Sequence, residues 1–323
     1  MMKDCKSNSD EKSYPLVSVV ILTYNRFQYL RRAIDSVLRQ DYPSLQLIIS
    51  DDCSVNFPGE QIEKYLKRNM KSNVKEYTII HHKSNIGTVR NLNNAYGIAN
   101  GQYIFPLSND DEFISEDVIS KIVDIFLKKQ CNMIITSRLQ CDEDGRAMGY
   151  MPMKSAMKYI NKLNTREKQC RAFIMEEYYD MASGSALYLR KSFWEMIGKF
   201  DEKYRLWEDG PFIAKALLSE KIEMCFQITS IKYRIGGVSC GKKNPQLVAD
   251  KLLFDHSDKI KYMRELDWLA KMKIKFDIAR NNAVTKKDIV LVYLLNPIGT
   301  FQRIIYKIKV KRASSEELRI TNS

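Results

Sequence analysis

The sequence predicts an α/β fold in which helices flank a mostly parallel sheet, with a helical region at the C-terminal end. An apolar, β-branched segment (17–22) precedes a helical pattern with apolar residues three and four apart (30–38), and a second apolar segment follows (45–50). Strand, helix and strand within about 35 residues form a βαβ unit, whose strands run parallel with a right-handed crossover. The alternation continues to a further apolar segment at 103–107.

Polar and acidic residues follow directly after three of these predicted strands. They are Thr23, Tyr24 and Asn25; Asp51 and Asp52; and Ser108, Asn109, Asp110 and Asp111. In parallel sheets ligands bind outside the carboxyl ends of the strands. One shared rim is therefore predicted for Thr23, Tyr24, Asp51, Asp52 and Asp110. Carboxylates at such a rim suit Mg²⁺ or Mn²⁺, which take oxygen ligands and share them with substrate phosphates.

The remaining pattern predicts further elements in order. Helices are predicted at 61–70, 88–99, 117–129, 211–219 and 252–279, strands at 77–81, 133–139 and 186–189, and a turn at 142–146. Just before the helix at 211–219 lies a second acidic pair, Glu208 and Asp209, next to Trp207. The helix dipole alone favours acids at a helix start, so this pair does not by itself define a site.

Taken together, these segments resemble the family 2 glycosyltransferases, which are inverting enzymes with the GT-A fold. The matching segments, in the family's order across about residues 15–240, are 23–26, 32–40, 51–54, 85–87, 90–91, 108–111, 184–186, 198–202 and 208–209. The chain departs from the family pattern in two places. Ser108 stands at the first position of the Asp-X-Asp motif, and the segment 233–239 lacks the histidine that many relatives carry.

The resemblance implies a role for each matching residue. Donor-binding residues are expected to be Thr23, Tyr24, Asn25, Asp51, Asp52, Arg90, Asn109 and Asp110, with either Asp51 or Asp52 binding the base. Asp110, with Asp111 beside it, is expected to hold Mg²⁺ or Mn²⁺ on the diphosphate. Asp209 is expected to act as the general base, with Glu208 orienting the acceptor. Acceptor contacts are expected from Trp207, Gly184 and Ser185.

The implied function is transfer of a hexosyl or N-acetylhexosaminyl group from a nucleotide-diphosphate donor, such as a UDP-sugar, to a hydroxyl of a glycan or lipid-linked acceptor in surface-polysaccharide assembly. The implied division of the chain is a disordered tail (1–14), a nucleotide-binding half (15–111), an acceptor half (112–240) and a helical region (241–323). Two alternative functions stay open. One is a nucleotidyltransferase, although no Gly-rich phosphate loop follows the first predicted strand. The other is a degenerate transferase acting as a membrane-bound assembly partner, which Ser108 keeps open.

The composition of the chain bears on its general class, on the state of its cysteines and on nucleic-acid binding. The 323 residues are 45% apolar and 28% charged, which is typical of a globular protein. Seven cysteines without a C-x-x-C pair argue against a disulfide framework and a structural zinc site. The polar N-terminal segment lacks a secretory signal, which favours a cytoplasmic location. The net charge of +13 is concentrated at 284–312, where seven basic residues face one acid, and no nucleic-acid-binding motif accompanies it.

The basic segment 284–312 is also apolar. Residues 289–295 are an unbroken apolar run, Pro297 follows, and Ile304, Ile305 and Ile308 fall on one helical face. The uncharged stretch 289–302 is shorter than the roughly 20 residues that cross a bilayer. We therefore expect a helix, broken near Pro297, that contacts an anionic membrane surface and makes the protein peripheral on the inner face of the cell membrane. The alternative is a helix that packs on the catalytic domain.

Overall fold

A computed structural model describes residues 14–174, 184–236, 244–261, 266–305 and 308. The predicted disordered tail therefore lies almost entirely outside the described residues, as do parts of the predicted acceptor region and of the basic C-terminal segment. Within the described residues the chain forms one nine-stranded sheet with helices packed on both faces.

The sheet follows the order β3-β2-β1-β4-β8-β6-β9-β5, and β7 pairs with β6. The strands are β1 (Val17–Thr23), β2 (Leu45–Asp51), β3 (Val74–His81), β4 (Tyr103–Ser108), β5 (Glu112–Phe113), β6 (Met133–Cys141), β7 (Ala147–Met151), β8 (Leu187–Arg190) and β9 (Glu223–Arg234). The four strands β3, β2, β1 and β4 are all parallel, which confirms the βαβ prediction. In register, Thr23 lies opposite Asp51 and Leu22 opposite Ser108, so the three strand ends meet at one edge.

The other half of the sheet is mixed. Strand β8 runs antiparallel to β4 and β6, whereas β9 runs parallel to β6 and antiparallel to β5. The predicted turn at 142–146 joins β6 to β7 as a hairpin. The 12-residue strand β9 is not among the predicted strands. Two register shifts interrupt its pairing with β6, and its buried positions do not alternate regularly, so its sequence lacks a clear period of two.

Twelve helices surround the sheet in the described residues. They are α1 (Leu30–Leu38), α2 (Gly59–Asn69), α3 (Thr88–Gly97), α4 (Val118–Lys129), α5 (Lys154–Ile160), α6 (Arg166–Ile174), α7 (Lys191–Met196), α8 (Asp209–Ser219), α9 (Pro245–Lys261), α10 (Trp268–Asn282), α11 (Lys286–Leu295) and α12 (Pro297–Ile305). The region 252–279, for which the sequence predicts one or two helices, contains parts of two, α9 and α10.

Alternate residues of the central strands build two cores, one on each face, as the period of two in a strand requires. Val17, Val19 and Ile21 face the core formed with α1, α2 and α4. Val20 faces the core formed with α3, α7 and α8. Phe254 of α9 belongs to this second core. Described residues on both sides of position 240, where the sequence suggests a boundary, therefore belong to one core.

Helices α11 and α12 meet at an angle of 98° at Asn296, so the predicted break near Pro297 is confirmed. Among the described residues, no single helix has the length and apolar composition to cross a bilayer; this bent pair meets those criteria only when its two helices are taken together.

Candidate active site

A cavity of about 560 Å³ opens where the parallel strands end. Most of the residues predicted for the site line it: Thr23, Tyr24, Asp52, Asn109, Asp110, Gly184, Ser185, Trp207, Glu208 and Asp209. Four predicted site residues, Asn25, Asp51, Arg90 and Asp111, are not among the lining residues. The structure therefore brings together the strand-end residues and the Glu208–Asp209 pair, which are separated by about 100 to 185 positions in the sequence.

The two acids after β2 have different surroundings. Asp51 is buried and accepts hydrogen bonds from the backbone N–H and the hydroxyl of Ser54, while Nδ1 of His81 lies 2.7 Å from its carboxylate. Asp52 lines the cavity and accepts hydrogen bonds from the backbone N–H groups of Ile86 (2.7 Å) and Gly87 (2.9 Å). Of the two candidates for binding the base, Asp52 is the one that faces the cavity.

Asp52 fixes the loop that leads into α3. Gly87 in this loop has φ of +87°, a conformation that disfavours side chains, and a Cβ there would lie 2.7 Å from Cγ of Arg205. The loop therefore packs closely against the segment that precedes Glu208. Arg90, one turn into α3, has Nε 3.3 Å from a carboxylate oxygen of Glu202 on the surface.

Asn109 ties the end of β4 to the end of β1. Its Nδ2 donates hydrogen bonds to Oγ1 of Thr23 (2.9 Å) and to the backbone carbonyl of Arg26. Asn25 instead closes the neighbouring loop, because its side-chain oxygen accepts the N–H of Val55 and its own N–H donates to Ser54. These contacts hold the β1 and β4 ends in fixed relative positions, with Asn25 outside the cavity.

Asp110 and Asp111 also differ. Asp110 lines the cavity and forms an ion pair with Arg26, whose Nη1 lies 3.1 Å from its carboxylate. Burial raises the pKa of Asp110, and the charge of Arg26 opposes this shift. Asp111 is almost fully buried and accepts hydrogen bonds from the Ser185 hydroxyl (2.6 Å) and the Arg234 backbone N–H (3.1 Å). Burial and the nearby Asp110 raise the pKa of Asp111 to about 7.

This arrangement does not support the prediction that places Asp111 at a metal. Asp111 does not line the cavity, and both of its oxygens accept hydrogen bonds inside the protein. The hydroxyl of Ser185 lies in turn 3.2 Å from the hydroxyl of Ser108. In the described part of the chain, no group of three or more His, Cys, Asp and Glu residues could hold a metal by itself. Mg²⁺ is often bound by one or two carboxylates plus substrate phosphates, so Asp110 fits a metal that binds together with a diphosphate.

Glu208 and Asp209 stand at the start of α8, on the cavity wall. The carboxylate of Asp209 accepts the backbone N–H of Gly210 at 2.7 Å. Glu208 keeps some access to the cavity, but the protein around it raises its pKa to about 8, first by desolvation and then by the charge of Asp209. A Cβ on Gly184 would lie 2.6 Å from Oε1 of Glu208, so the absence of a side chain there leaves room for this carboxylate.

The raised pKa of Glu208 predicts a pH-dependent stability. The folded state binds this proton more tightly than the unfolded chain, whose glutamate pKa is near 4.5, so the free energy of unfolding falls as pH rises from about 4.5 to 8. We expect Glu208→Gln to flatten this decline by roughly 1 to 3 kcal/mol between pH 5 and 8. Urea unfolding at both pH values measures it, with Glu195→Gln on α7 as control. An unchanged pH slope in Glu208→Gln would contradict the assignment.

Sequence reasoning assigned no role to four further residues at this site. Arg26 and Arg234 line the cavity, as do Leu247 and Lys251 of α9. Arg26 lies in the segment 23–26 that matches the family, and this match could have indicated a role at the site. The α9 residues lie at positions 247 and 251, four apart, and this spacing places them on one helical face. The sequence shows this spacing, but it does not show that this face of the helix borders the cavity.

Comparison with known proteins finds sequence similarity to glycosyltransferases. The family model for glycosyl transferase family 2 matches residues 18–197. Over 102 residues the chain is 41% identical to the putative colanic acid biosynthesis glycosyl transferase WcaA of Escherichia coli, covering 32% of this chain and 35% of that protein. Over 131 residues it is 29% identical to the putative teichuronic acid biosynthesis glycosyltransferase TuaG of Bacillus subtilis, covering 41% and 50%. These matches span a third to a half of the relatives.

Solved structures show the same fold. A structure of S. aureus TarS (residues 1–349) in complex with UDP-GlcNAc superposes with a TM-score of 0.59 at 16% identity, covering 86% of this chain and 79% of that one. The mannosyltransferase PcManGT from Pyrobaculum calidifontis, in complex with GDP-Man and Mn²⁺, superposes with a TM-score of 0.52 at 14% identity, covering 95% and 88%. The fold is therefore the GT-A fold, and the chain belongs to glycosyl transferase family 2.

Proposed function

We propose that the protein is an inverting glycosyltransferase that moves a sugar from a nucleotide-diphosphate donor to an acceptor hydroxyl. The observation that carries this proposal is the single cavity in which the ends of β1, β2 and β4 face Glu208 and Asp209. A donor bound along the strand ends would direct its anomeric carbon toward the start of α8. Such a position suits attack by an acceptor hydroxyl from the face opposite the diphosphate.

Polar groups at the strand ends indicate which side of the cavity would bind the donor nucleotide. Asp52 lies next to the loop 85–88 and would accept an N–H of the base, while Thr23 and Tyr24 line the nucleoside pocket with it. Asn109 keeps the β4 end against β1 through its bond to Thr23. The structures of relatives with UDP-GlcNAc and GDP-Man support a nucleotide-sugar donor, and we propose a UDP-sugar for this chain.

Asp110 would hold Mg²⁺ or Mn²⁺ together with the donor diphosphate. Once bound, such a cation offsets the negative charge that develops on the departing diphosphate. Arg26, which pairs with Asp110 at 3.1 Å, also lines the cavity and places a second positive charge beside the same carboxylate. Since the protein supplies one carboxylate here, we expect the cation to bind weakly until the donor is present.

Asp209 would accept the proton of the acceptor hydroxyl during attack. Its position at the start of α8 favours the ionised form, because the positive end of the helix dipole stabilises a carboxylate. Glu208, whose pKa is raised to about 8, can retain a proton near neutral pH and donate a hydrogen bond to the acceptor. The ring of Trp207 borders the same space and offers an apolar face for a sugar.

Calorimetric titration of UDP and GDP tests the donor assignment directly. We expect UDP to bind, and to bind more tightly with Mn²⁺ than with a chelator; binding of GDP alone would contradict the choice of a UDP-sugar. Absence of binding for both nucleotides in either condition would contradict the proposed function.

We also propose that the protein works as a peripheral protein on the inner face of the cell membrane, on a lipid-linked acceptor. In α11 the side chains of Leu291 (54%), Leu294 (72%) and Leu295 (70%) are exposed. The helix packs on α10 through Tyr293, whose ring lies edge-on to Phe276 at 5.3 Å, so these leucines are on a side that α10 does not cover. Phe301 and Ile304 of α12 are exposed as well. Several exposed large apolar side chains on two adjoining helices are typical of an interaction site.

The basic residues near this apolar surface favour anionic lipid as its partner. Lys286, Lys287 and Arg303 accompany the apolar side chains, and Asp288 is occupied with the N-terminal cap of α11. Each basic residue near an anionic membrane contributes about 1 kcal/mol, in addition to the apolar contacts. Attachment there would raise the local concentration of a lipid-linked acceptor without changing the chemistry.

Replacing two of the exposed leucines tests the membrane proposal. We expect Leu294→Ser/Leu295→Ser to bind anionic vesicles at least roughly 10-fold more weakly, since burying one leucine contributes about 1.5 to 3 kcal/mol. Vesicle sedimentation at low salt measures this, with Leu127→Ser, another exposed leucine on α4, as the matched control. Equal binding by the double variant and the unmodified chain would contradict the proposal. Self-association that the double variant abolishes would instead assign the surface to a second copy.

A further inference from the structure

Three residues of α9 contact the segment that immediately precedes Glu208 and Asp209. Asp250, Phe254 and Asp258 are spaced four apart, so they lie along one side of the helix. Their partners are the residues 203–207. This helix lies outside the residues 18–197 that match the family model.

Asp250 holds the backbone of this segment. One of its carboxylate oxygens accepts three consecutive N–H groups, from Arg205 (3.0 Å), Leu206 (2.6 Å) and Trp207 (3.1 Å). The other oxygen accepts Nε2 of Gln246 at 2.9 Å. Asp250 is buried, and hydrogen bonds to a charged, buried acceptor are stronger than neutral ones. The last of the three N–H groups belongs to the residue directly before Glu208.

Phe254 and Asp258 extend the same contact. The ring of Phe254 packs edge-on against Trp207, with centroids 5.3 Å apart. Asp258 accepts the hydroxyl of Tyr204 at 2.5 Å and Nζ of Lys203 at 2.6 Å. The segment is thus held by side-chain bonds at residues 203 and 204, by backbone bonds at residues 205–207 and by an aromatic contact at Trp207.

We propose that α9 is a positioning element of the catalytic site, in which Asp250 sets the placement of Glu208 and Asp209. This inference rests on the proposed function of that pair. Reacting groups must be held to within a fraction of an ångström, and a displacement of about 1 Å can cost 10²-fold in rate. A carboxylate that fixes three successive amides restrains the two residues that follow them.

Two variants at Asp250 test the proposal. Asp250→Asn is isosteric and keeps a neutral acceptor, so we expect kcat for transfer to fall roughly 10-fold; Asp250→Ala removes the acceptor, and we expect a loss of roughly 10²-fold. Nucleotide affinity should stay within about threefold in both, because the donor residues at the strand ends are untouched. Asp255→Asn is the matched control, since Asp255 lies on α9 but pairs with Lys259 of the same helix.

Hydrogen exchange of the peptide containing residues 203–210 provides a readout that does not depend on turnover. We expect faster exchange of the amides of 205–207 in the order Asp250→Ala, Asp250→Asn, unmodified chain. Unchanged exchange, or faster exchange with full kcat, would overturn the inference. Failure of the proposed function would look different, because the unmodified chain would then show no sugar transfer. If only the present inference fails, Asp209→Asn is inactive and Asp250→Ala remains fully active.

Discussion

Replacing Asp209 by Asn is expected to lower kcat by roughly 10²-fold or more, which is the contribution typical of one positioned general base. The amide keeps the size of the carboxylate and can still accept the N–H of Gly210, so the start of α8 should stay intact. Nucleotide affinity should change by no more than a few-fold, because Asp209 faces the transfer end of the cavity and not the strand ends that hold the nucleoside. Steady-state transfer rates and calorimetry measure the two quantities.

Glu208→Gln is the matched comparison for this variant. It replaces the neighbouring acid, which can already carry a proton near neutral pH, by an amide of the same size. We expect a smaller loss of kcat, because Glu208 orients the acceptor and is not the base. If nucleotide binding collapsed in Asp209→Asn while kcat stayed normal, Asp209 would be a binding residue. If Glu208→Gln lost more activity than Asp209→Asn, the roles of the two acids would be reversed.

Asp110→Asn is expected to remove the part of nucleotide affinity that depends on Mn²⁺ and to lower turnover by at least roughly 10²-fold, because a Lewis acid at a diphosphate contributes several kcal/mol. Binding in the presence of a chelator should be nearly unchanged. The measurement is a pair of titrations, with Mn²⁺ and with chelator, for the variant and the unmodified chain.

Asp124→Asn serves as the control for charge alone, since Asp124 pairs with Lys128 on the surface of α4. Equal enhancement by Mn²⁺ in Asp110→Asn and in the unmodified chain would contradict the metal assignment. Full activity of the unmodified chain in excess chelator would also contradict it, and would leave Arg26 as the positive charge near the diphosphate.

The rim of the sheet could be predicted from the sequence because it depends on local patterns. Apolar segments that end in Thr23, Asp51 and Ser108 define parallel strands, and the carboxyl ends of parallel strands meet at one edge. The family resemblance then connects this edge to the distant pair Glu208 and Asp209. In the structure Thr23, Asp110, Glu208 and Asp209 line one cavity, whereas Asp51 does not reach it.

The roles within each acidic pair could not be predicted in the same way. Successive side chains at a strand end point in different directions, so Asp52 and Asp110 reach the cavity while Asp51 and Asp111 turn into the protein. Which member faces the cavity depends on local partners such as Ser54 and on distant ones such as Ser185 and Arg234, and the second kind depends on the tertiary fold.

The contribution of α9 was hidden for a similar reason. The spacing of Asp250, Phe254 and Asp258 indicates a helical face, but both acids look like ordinary surface residues in the sequence. Their burial follows from contacts with residues about 45 to 55 positions earlier, among them Tyr204 and Trp207. A boundary drawn at residue 240 therefore separates residues that share one core and one cavity.

Product analysis with a panel of nucleotide sugars tests the central claim most directly. Incubation of the full chain with each sugar and Mn²⁺ should release a nucleoside diphosphate from at least one of them, and the release should disappear in Asp209→Asn. In a parallel incubation with a nucleoside triphosphate and a sugar 1-phosphate, release of pyrophosphate would instead identify a nucleotidyltransferase. Absence of any product from every sugar, despite nucleotide binding, would identify a degenerate transferase, and either result would contradict the proposed function.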